Sequence, residues 1–267
     1  MALALPIYQV DAFADTLFGG NPAAVVPLRD WLPDRMLLNI AAENNLAETA
    51  FLVREDDTYA IRWFTPTAEV PLCGHATLAS AYVVFELLQP GRRNVTFTTR
   101  RAGPLTISQT GDLLAMDFPS RPPEPAAEPE GFVAALGARP RELLAYDKLF
   151  AVFETAGDVK KLAPDFRKVA ALDCDGIVAT APGADGIDFV SRYFVPQLGI
   201  DEDPVTGSAH CLLVPYWARR LGKSRLVGRQ ISARGGTVYG EDRGARVTLS
   251  GQAKLYLEGQ IFLPNGN

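Results

Sequence analysis

The chain has 267 residues, 48% hydrophobic and 21% charged, the balance of a folded globular protein and not of a disordered one. It is long enough to bury a large core, as one large domain or two small ones. With 26 Lys and Arg against 31 Asp and Glu the net charge is −5, which gives no support for a general nucleic-acid binder.

Residues 7–13 and 23–27 read as strands joined by the turn Gly19-Gly20-Asn21-Pro22. Residues 33–43 read as a helix, and 47–53 and 59–65 as strands. Residues 75–88 form an almost wholly apolar helix, which belongs in a core and not on a surface. Residues 94–99, 105–109 and 113–118 look like a meander. Residues 119–130 hold five prolines and no apolar period. A linker at 121–129 is therefore expected between a first domain, 1–120, and a second, 130–267, whose last strand could join the first. After it come a short helix at 132–136, a strand at 149–154, a helix at 159–171 and strands at 176–180 and 188–195. A second apolar helix runs over 208–221, with a kink expected at Pro215 and a stop at Gly222. Strands fill 225–263.

Cys73, Cys174 and Cys211 are too scattered for a disulfide framework or a Cys-x-x-Cys zinc site, and they fit a reducing compartment. The first residues have no basic region ahead of an apolar one, so no signal peptide is expected. The apolar stretch 76–88 is too short to span a bilayer. A cytoplasmic protein without membrane or nucleic-acid partners is the expectation.

An internal repeat links the halves. Arg62-Trp-Phe-Thr-Pro66 matches Arg192-Tyr-Phe-Val-Pro196, and Glu69-Val-Pro-Leu-Cys-Gly-His-Ala76 matches Glu202-Asp-Pro-Val-Thr-Gly-Ser-Ala209. Each copy is a strand, a loop, and a Gly opening an apolar helix. A helix N-terminus presents free N–H groups and a positive dipole end, so Gly74-His75 and Gly207-Ser208 could together hold a carboxylate-sized anion. Alternatively, the glycines only shape tight turns.

Both histidines of the chain, His75 and His210, lie in these motifs. No third ligand or His-x-x-x-His spacing is visible, so no metal is expected. Cys73, at a helix start, could have a lowered pKa and act as a base, or could be a small buried filler. Its counterpart is Thr206, so a two-thiol racemase lacks half its machinery. Glu48, at the edge of an apolar strand, could have a raised pKa and exchange protons, or could face solvent. Asp203 could orient a His or hold a substrate amine, or belong to an acidic loop. Ser208 is not in a Gly-x-Ser-x-Gly elbow and could be a helix cap. No Gly-x-Gly-x-x-Gly or Walker loop is present, so no nucleotide cofactor is implied.

Asp11-Ala-Phe with Gly20-Asn-Pro22, Asn45-Leu-Ala-Glu-Thr49, Phe64-Thr-Pro66, Cys73-Gly-His-Ala-Thr77 and Asp203-Pro-Val-Thr-Gly-Ser-Ala-His210 resemble the PhzF family of phenazine-biosynthesis-like isomerases. The resemblance spans essentially the whole chain. It implies the α+β diaminopimelate epimerase-like fold: two pseudo-symmetric domains, each a curled, mostly antiparallel sheet around a central buried helix, with the active site in the cleft between them. It implies cofactor-free isomerisation of a small carboxylate-bearing substrate and a homodimer. Glu48 matches the proton-moving glutamate, and His75, Asp203 and Ser208 match its supporting residues. Gly74, His75, Gly207 and Ser208 would bind substrate. Cys73, Pro204 and His210 depart from the phenazine-making pattern, so the reaction class carries over more firmly than the substrate. The alternatives are a one-thiol epimerase or racemase using Cys73 with Glu48, and a metabolite-binding protein without turnover.

Overall fold

The structure, a computed structural model, describes residues 3–263. The chain divides into two units, residues 1–117 with 250–267, and residues 118–249.

The first unit opens with β1 (Leu3–Ala12), β2 (Asn21–Leu28), α1 (Asp34–Asn44), β3 (Glu48–Glu55), β4 (Thr58–Phe64) and the two-residue β5 (Glu69–Val70). It continues with α2 (Gly74–Val83), β6 (Asn94–Thr98), β7 (Leu105–Thr110) and β8 (Leu113–Pro119). Strands β1 and β2 are antiparallel, β2 and β3 parallel, β3 and β4 antiparallel, and β4 runs parallel to β6. In α1 the buried residues Leu37, Ile40 and Ala41 fall on one face, and left-handed Asn45 (φ 48°) ends the helix. Both α1 and α2 pack against β3, so its residues Ala50 to Val53 are all buried and the strand has no polar face. Helix α2 is buried nearly all round; Thr77 and Ser80 return their hydroxyls to the Cys73 and Ala76 carbonyls at 2.6 and 2.7 Å.

The second unit holds β9 (Glu124–Pro125), α3 (Phe132–Leu136), β10 (Glu142–Ala145), β11 (Leu149–Val152), α4 (Ala156–Lys161) and α5 (Phe166–Ala170). After these come β12 (Ile177–Pro182), β13 (Phe189–Phe194), β14 (Glu202–Asp203), α6 (Gly207–Leu221), β15 (Arg225–Gln230), β16 (Gly236–Asp242) and β17 (Arg246–Gly251). The three short helices press Phe132, Leu136, Val159 and Val169 onto Leu149, Ile177 and Phe194 of the sheet. Helix α6 is buried from Ala209 to Pro215. The last strand, β18 (Ala253–Leu263), returns to the first unit and pairs with β1 along its whole length.

Three expectations change. The helix expected over 159–171 is two helices, because Pro164 cannot continue α4 and Asp165 caps α5 afresh. Helix 75–88 begins at Gly74 and turns π-helical over Val84–Leu88. Residues 121–129 lie inside the second unit. There Leu144–Ala145 pair with Glu124–Pro125, and the Ala126 amide bonds the Leu143 carbonyl at 3.1 Å, so the prolines fix an extended edge segment. Among the described residues no helix is long and apolar enough to cross a membrane.

Strand pairing makes the repeat structural. Phe64 lies across from Glu69, and Phe194 across from Glu202. In both units an arginine two residues before the Phe grips that Glu with two bonds. Arg62 does so at 2.8 and 2.7 Å, and Arg192 at 2.8 and 2.7 Å. Each guanidinium lies over its Phe ring, at 4.9 and 4.7 Å. The same register places Thr49 opposite Phe64 and Ile177 opposite Phe194. The residue before each is thus the matched pair Glu48 and Gly176. Gly176 has φ +127°, and a Cβ there would stand 2.8 Å from both the Phe194 oxygen and the Tyr193 ring.

Candidate active site

The parallel pairing of β2 and β3 carries Glu48 in at the start of β3, and the Arg62–Glu69 pair anchors the segment that delivers Cys73, Gly74 and His75. His75 Nε2 lies 3.1 Å from Glu48 Oε2; the two side chains are 8% and 19% exposed. Cys73 Sγ lies 3.5 Å from His75 Nδ1 and 3.9 Å from Nε2. Such nearly equal distances put the sulfur beside the ring, not in line with either nitrogen.

Burial alone would push the Glu48 carboxyl up, but the His75 charge, its hydrogen bond and the Cys73 thiol outweigh it and hold Glu48 below the usual carboxylate range. Burial works against a charge on His75, yet the neighbouring Cys73 and Glu48 raise it well above the usual imidazole value. The pair therefore rests as imidazolium and carboxylate. This corrects the expectation of a raised Glu48. Cys73 is also corrected: burial, and then the Glu48 charge, push its thiol up to about 11, overriding the helix start. The three donor atoms lie within 4.8 Å of one another, a spacing that suits a metal ion and that the separation in sequence concealed.

The second unit has a different helix start. Thr206 holds Cys73's place, extended like it (φ −120° and −141°) and likewise without a side-chain cap bond. The Thr206 hydroxyl donates to Asp203 Oδ2. Gln230, fully buried, accepts from the Thr206 amide at 3.0 Å and donates to the Asp203 carbonyl at 2.7 Å and to Thr206 Oγ1 at 3.2 Å. Ser232 Oγ donates to the Pro204 carbonyl at 2.8 Å. Ser208 is exposed. A Cβ at Gly207 would meet nothing within 4 Å, and its φ is not left-handed, so no tight turn demands glycine there. The bare backbone leaves room for a ligand to approach its N–H.

His210 lies in the first turn of α6. It is fully buried beside Phe189, its Nδ1–H donates to the Thr206 carbonyl at 2.8 Å, and Nε2 has no hydrogen-bond partner. Burial lowers its pKa to about 4. Glu48, Cys73 and His75 thus come together in the first unit, and Asp203, Thr206, Gly207 and Ser208 in the second. Gln230 gave no sequence signal, because it closes its contacts from 24 residues past Thr206.

A family model described as PhzC-PhzF, phenazine biosynthesis-like protein, matches residues 10–259. A Pseudomonas aeruginosa protein named uncharacterized isomerase is 51% identical, over 97% of this chain and 99% of its own. The crystal structure of a PhzF-family phenazine biosynthesis protein from Enterococcus faecalis superposes with a TM-score of 0.94 at 45% identity, over 98% of this chain and 100% of that one. A hydroxyproline epimerase from Agrobacterium vitis, at 11% identity and a TM-score of 0.60 over 98% and 93% of the two chains, shares the fold. The chain belongs to the PhzC-PhzF phenazine biosynthesis-like family, as an isomerase-type member with the epimerase-like fold.

Proposed function

We propose that this protein is a cofactor-independent isomerase that moves a proton within a small carboxylate-bearing metabolite, with Glu48 as the acid and base. The observation that carries the reading is the buried Glu48 carboxylate held ionised by His75 at 3.1 Å, set against Gly176 at the matched position of the second unit. An ionised carboxylate starts as the base. It takes a proton from an acidic carbon, so a C–H bond breaks and an O–H bond forms, and the electron pair is delocalised into the substrate. The carboxyl proton exchanges with solvent, and the same oxygen then delivers a proton to another carbon, so composition is unchanged in H2O and one deuteron enters in D2O. His75 stabilises the carboxylate and stays protonated. Each unit by itself opens its central helix with N–H groups suited to a substrate carboxylate, at Gly74 in the first and at Gly207 and Ser208 in the second, and Asp203 would hold a further polar group of the substrate.

The thiol alternative has weaker support. A base at about 11 is protonated at neutral pH, and the unit offers one thiol, not a pair. The test is deuterium uptake in D2O with EDTA, over a panel of cyclic and amino carboxylates including dihydro-hydroxyanthranilate and diaminopimelate, read by mass. One mass unit gained with the wild type and with Cys73→Ala, and lost with Glu48→Gln, is the expected result. Loss with Cys73→Ala would move the chemistry to the thiol, and loss with EDTA would move it to a metal. Carboxylates that raise the melting temperature without any exchange would leave a binding protein.

A further inference from the structure

Gln230 closes β15, and every polar atom of its side chain is spent on one four-residue stretch, 203–206. Those partners settle which way the amide lies. Oε1 faces the Thr206 N–H, so the end facing the Asp203 carbonyl and Thr206 Oγ1 is the NH2. They also settle the direction of the next bond. Thr206 Oγ1 takes a proton from Gln230, so its own single proton goes to Asp203 Oδ2. Two residues on, Ser232 holds the Pro204 carbonyl and is itself held by the Gly235 amide at 3.0 Å. The end of β15 thus grips two successive carbonyls, an amide and a hydroxyl immediately ahead of α6.

Among the described residues of the first unit, the matched position does not do this. Ala60 pairs with Thr98 as Val190 pairs with Arg229, which matches Gln230 to Thr99. The Thr99 hydroxyl is spent on its own loop, donating to Gly103 O at 2.9 Å and accepting from Ala102 N at 2.8 Å. A fully buried amide is costly unless its polar atoms are paired, and the three bonds that Gln230 makes, two donated and one accepted, all go to the segment that carries Asp203 and the α6 start.

We propose that Gln230 is a positioning residue for the isomerase: it aims the Thr206 hydroxyl proton at Asp203 and fixes the Asp203 carboxylate and the first N–H groups of α6 for substrate. It is fully buried, so it acts through Thr206 and Asp203. The proposal rests on the functional reading above for its kinetic consequence, and on the hydrogen-bond chain for its structural one.

Gln230→Glu keeps shape and volume but reverses the chain, because an ionised carboxylate accepts the Thr206 hydroxyl proton and takes it from Asp203. Amide hydrogen exchange, followed by mass on the full chain, reads this without a substrate. Exchange over 203–208 should speed at least about tenfold, while peptides of β12 and of the second half of α6 stay within about twofold. With the panel compound that exchanges in the wild type, kcat should fall about ten- to a hundredfold, a change typical of a small misplacement of a binding group. Thr206→Val should match it, the Gln230→Glu/Thr206→Val double variant should be no slower than the slower single one, and Thr206→Ser should restore activity. Unchanged exchange over 203–208, loosening spread evenly through the second unit, or full kcat in Gln230→Glu would each overturn the proposal. A wild type silent over the whole panel would count against the isomerase reading, and the hydrogen-exchange result would still decide whether Gln230 grips this segment.

Discussion

The two histidines of this protein open its two central helices, and their surroundings hold them in opposite charge states. His75, the second residue of α2, faces a buried carboxylate and is held protonated. His210, the fourth residue of α6, faces a carbonyl and an aromatic ring and is held neutral. Both are buried, so burial does not separate them; the charge at 3.1 Å does. One repeated scaffold therefore carries an ion pair in one copy and a neutral hydrogen-bonded brace in the other.

Removing the imidazolium tests this contrast most severely. In His75→Gln the charge that opposes burial is lost and only the Cys73 thiol still favours the carboxylate, so the Glu48 carboxyl rises. Proton exchange at neutral pH should fall by about 10²–10⁴, the range of a lost acid–base contribution, and the acid limb of the pH–rate profile should move up. An unmoved limb in deuterium uptake from pH 4 to 9 would break the link between the pair and the chemistry.

His210 should show itself in stability instead. Its folded pKa of about 4 lies below the unfolded value of 6.5, so the unfolded chain binds the extra proton first. Stability is then complete above pH 6.5 and lost as the pH falls toward 4, by up to roughly 3 kcal/mol. Urea melts of the wild type and His210→Leu at pH 7.5 and 4.5 measure it. The variant's loss over this interval should be smaller by most of that amount; parallel losses would mean that His210 charges freely in the fold.

The smallest expected effect concerns a feature the units share. Arg192→Lys replaces a two-pronged grip on Glu202, and the bonds to the Val159 and Leu162 carbonyls at 3.3 and 2.8 Å, with a point charge. A loss of about 1–2 kcal/mol is expected in denaturant melts. A loss of equal size in Arg62→Lys would show that the two clamps do the same work, whatever the helix after each one carries.

Much of this is legible in the sequence, for local reasons. The apolar helices, the Gly-marked turns and the repeat of Arg-x-Phe with Glu before a Gly-opened helix all lie within short windows. The repeat by itself singles out Cys73, His75, Thr206 and Ser208. The Glu48–His75 contact is not legible in the same way, because 27 positions separate the pair and only the pairing of β2 with β3 delivers Glu48; its role comes through family resemblance. The sequence misleads on the direction of the pKa shifts, since a helix start or a strand edge says nothing of the charge that faces it. Gln230 and the pinned 121–129 segment are hidden for one reason: each is defined by partners from another stretch of chain.

Gly176 also bears on how these halves can change. The repeat gives both halves one pattern, yet the position matched to Glu48 in the second copy does not admit a carboxylate by a single substitution. Any side chain at 176 would need left-handed backbone and would strike the Tyr193 ring and the Phe194 carbonyl. A carboxylate at 176 would need the Tyr193 ring and the local backbone to move with it. The second half thus has no counterpart of Glu48 at this position, and the two copies of the repeat are not interchangeable there.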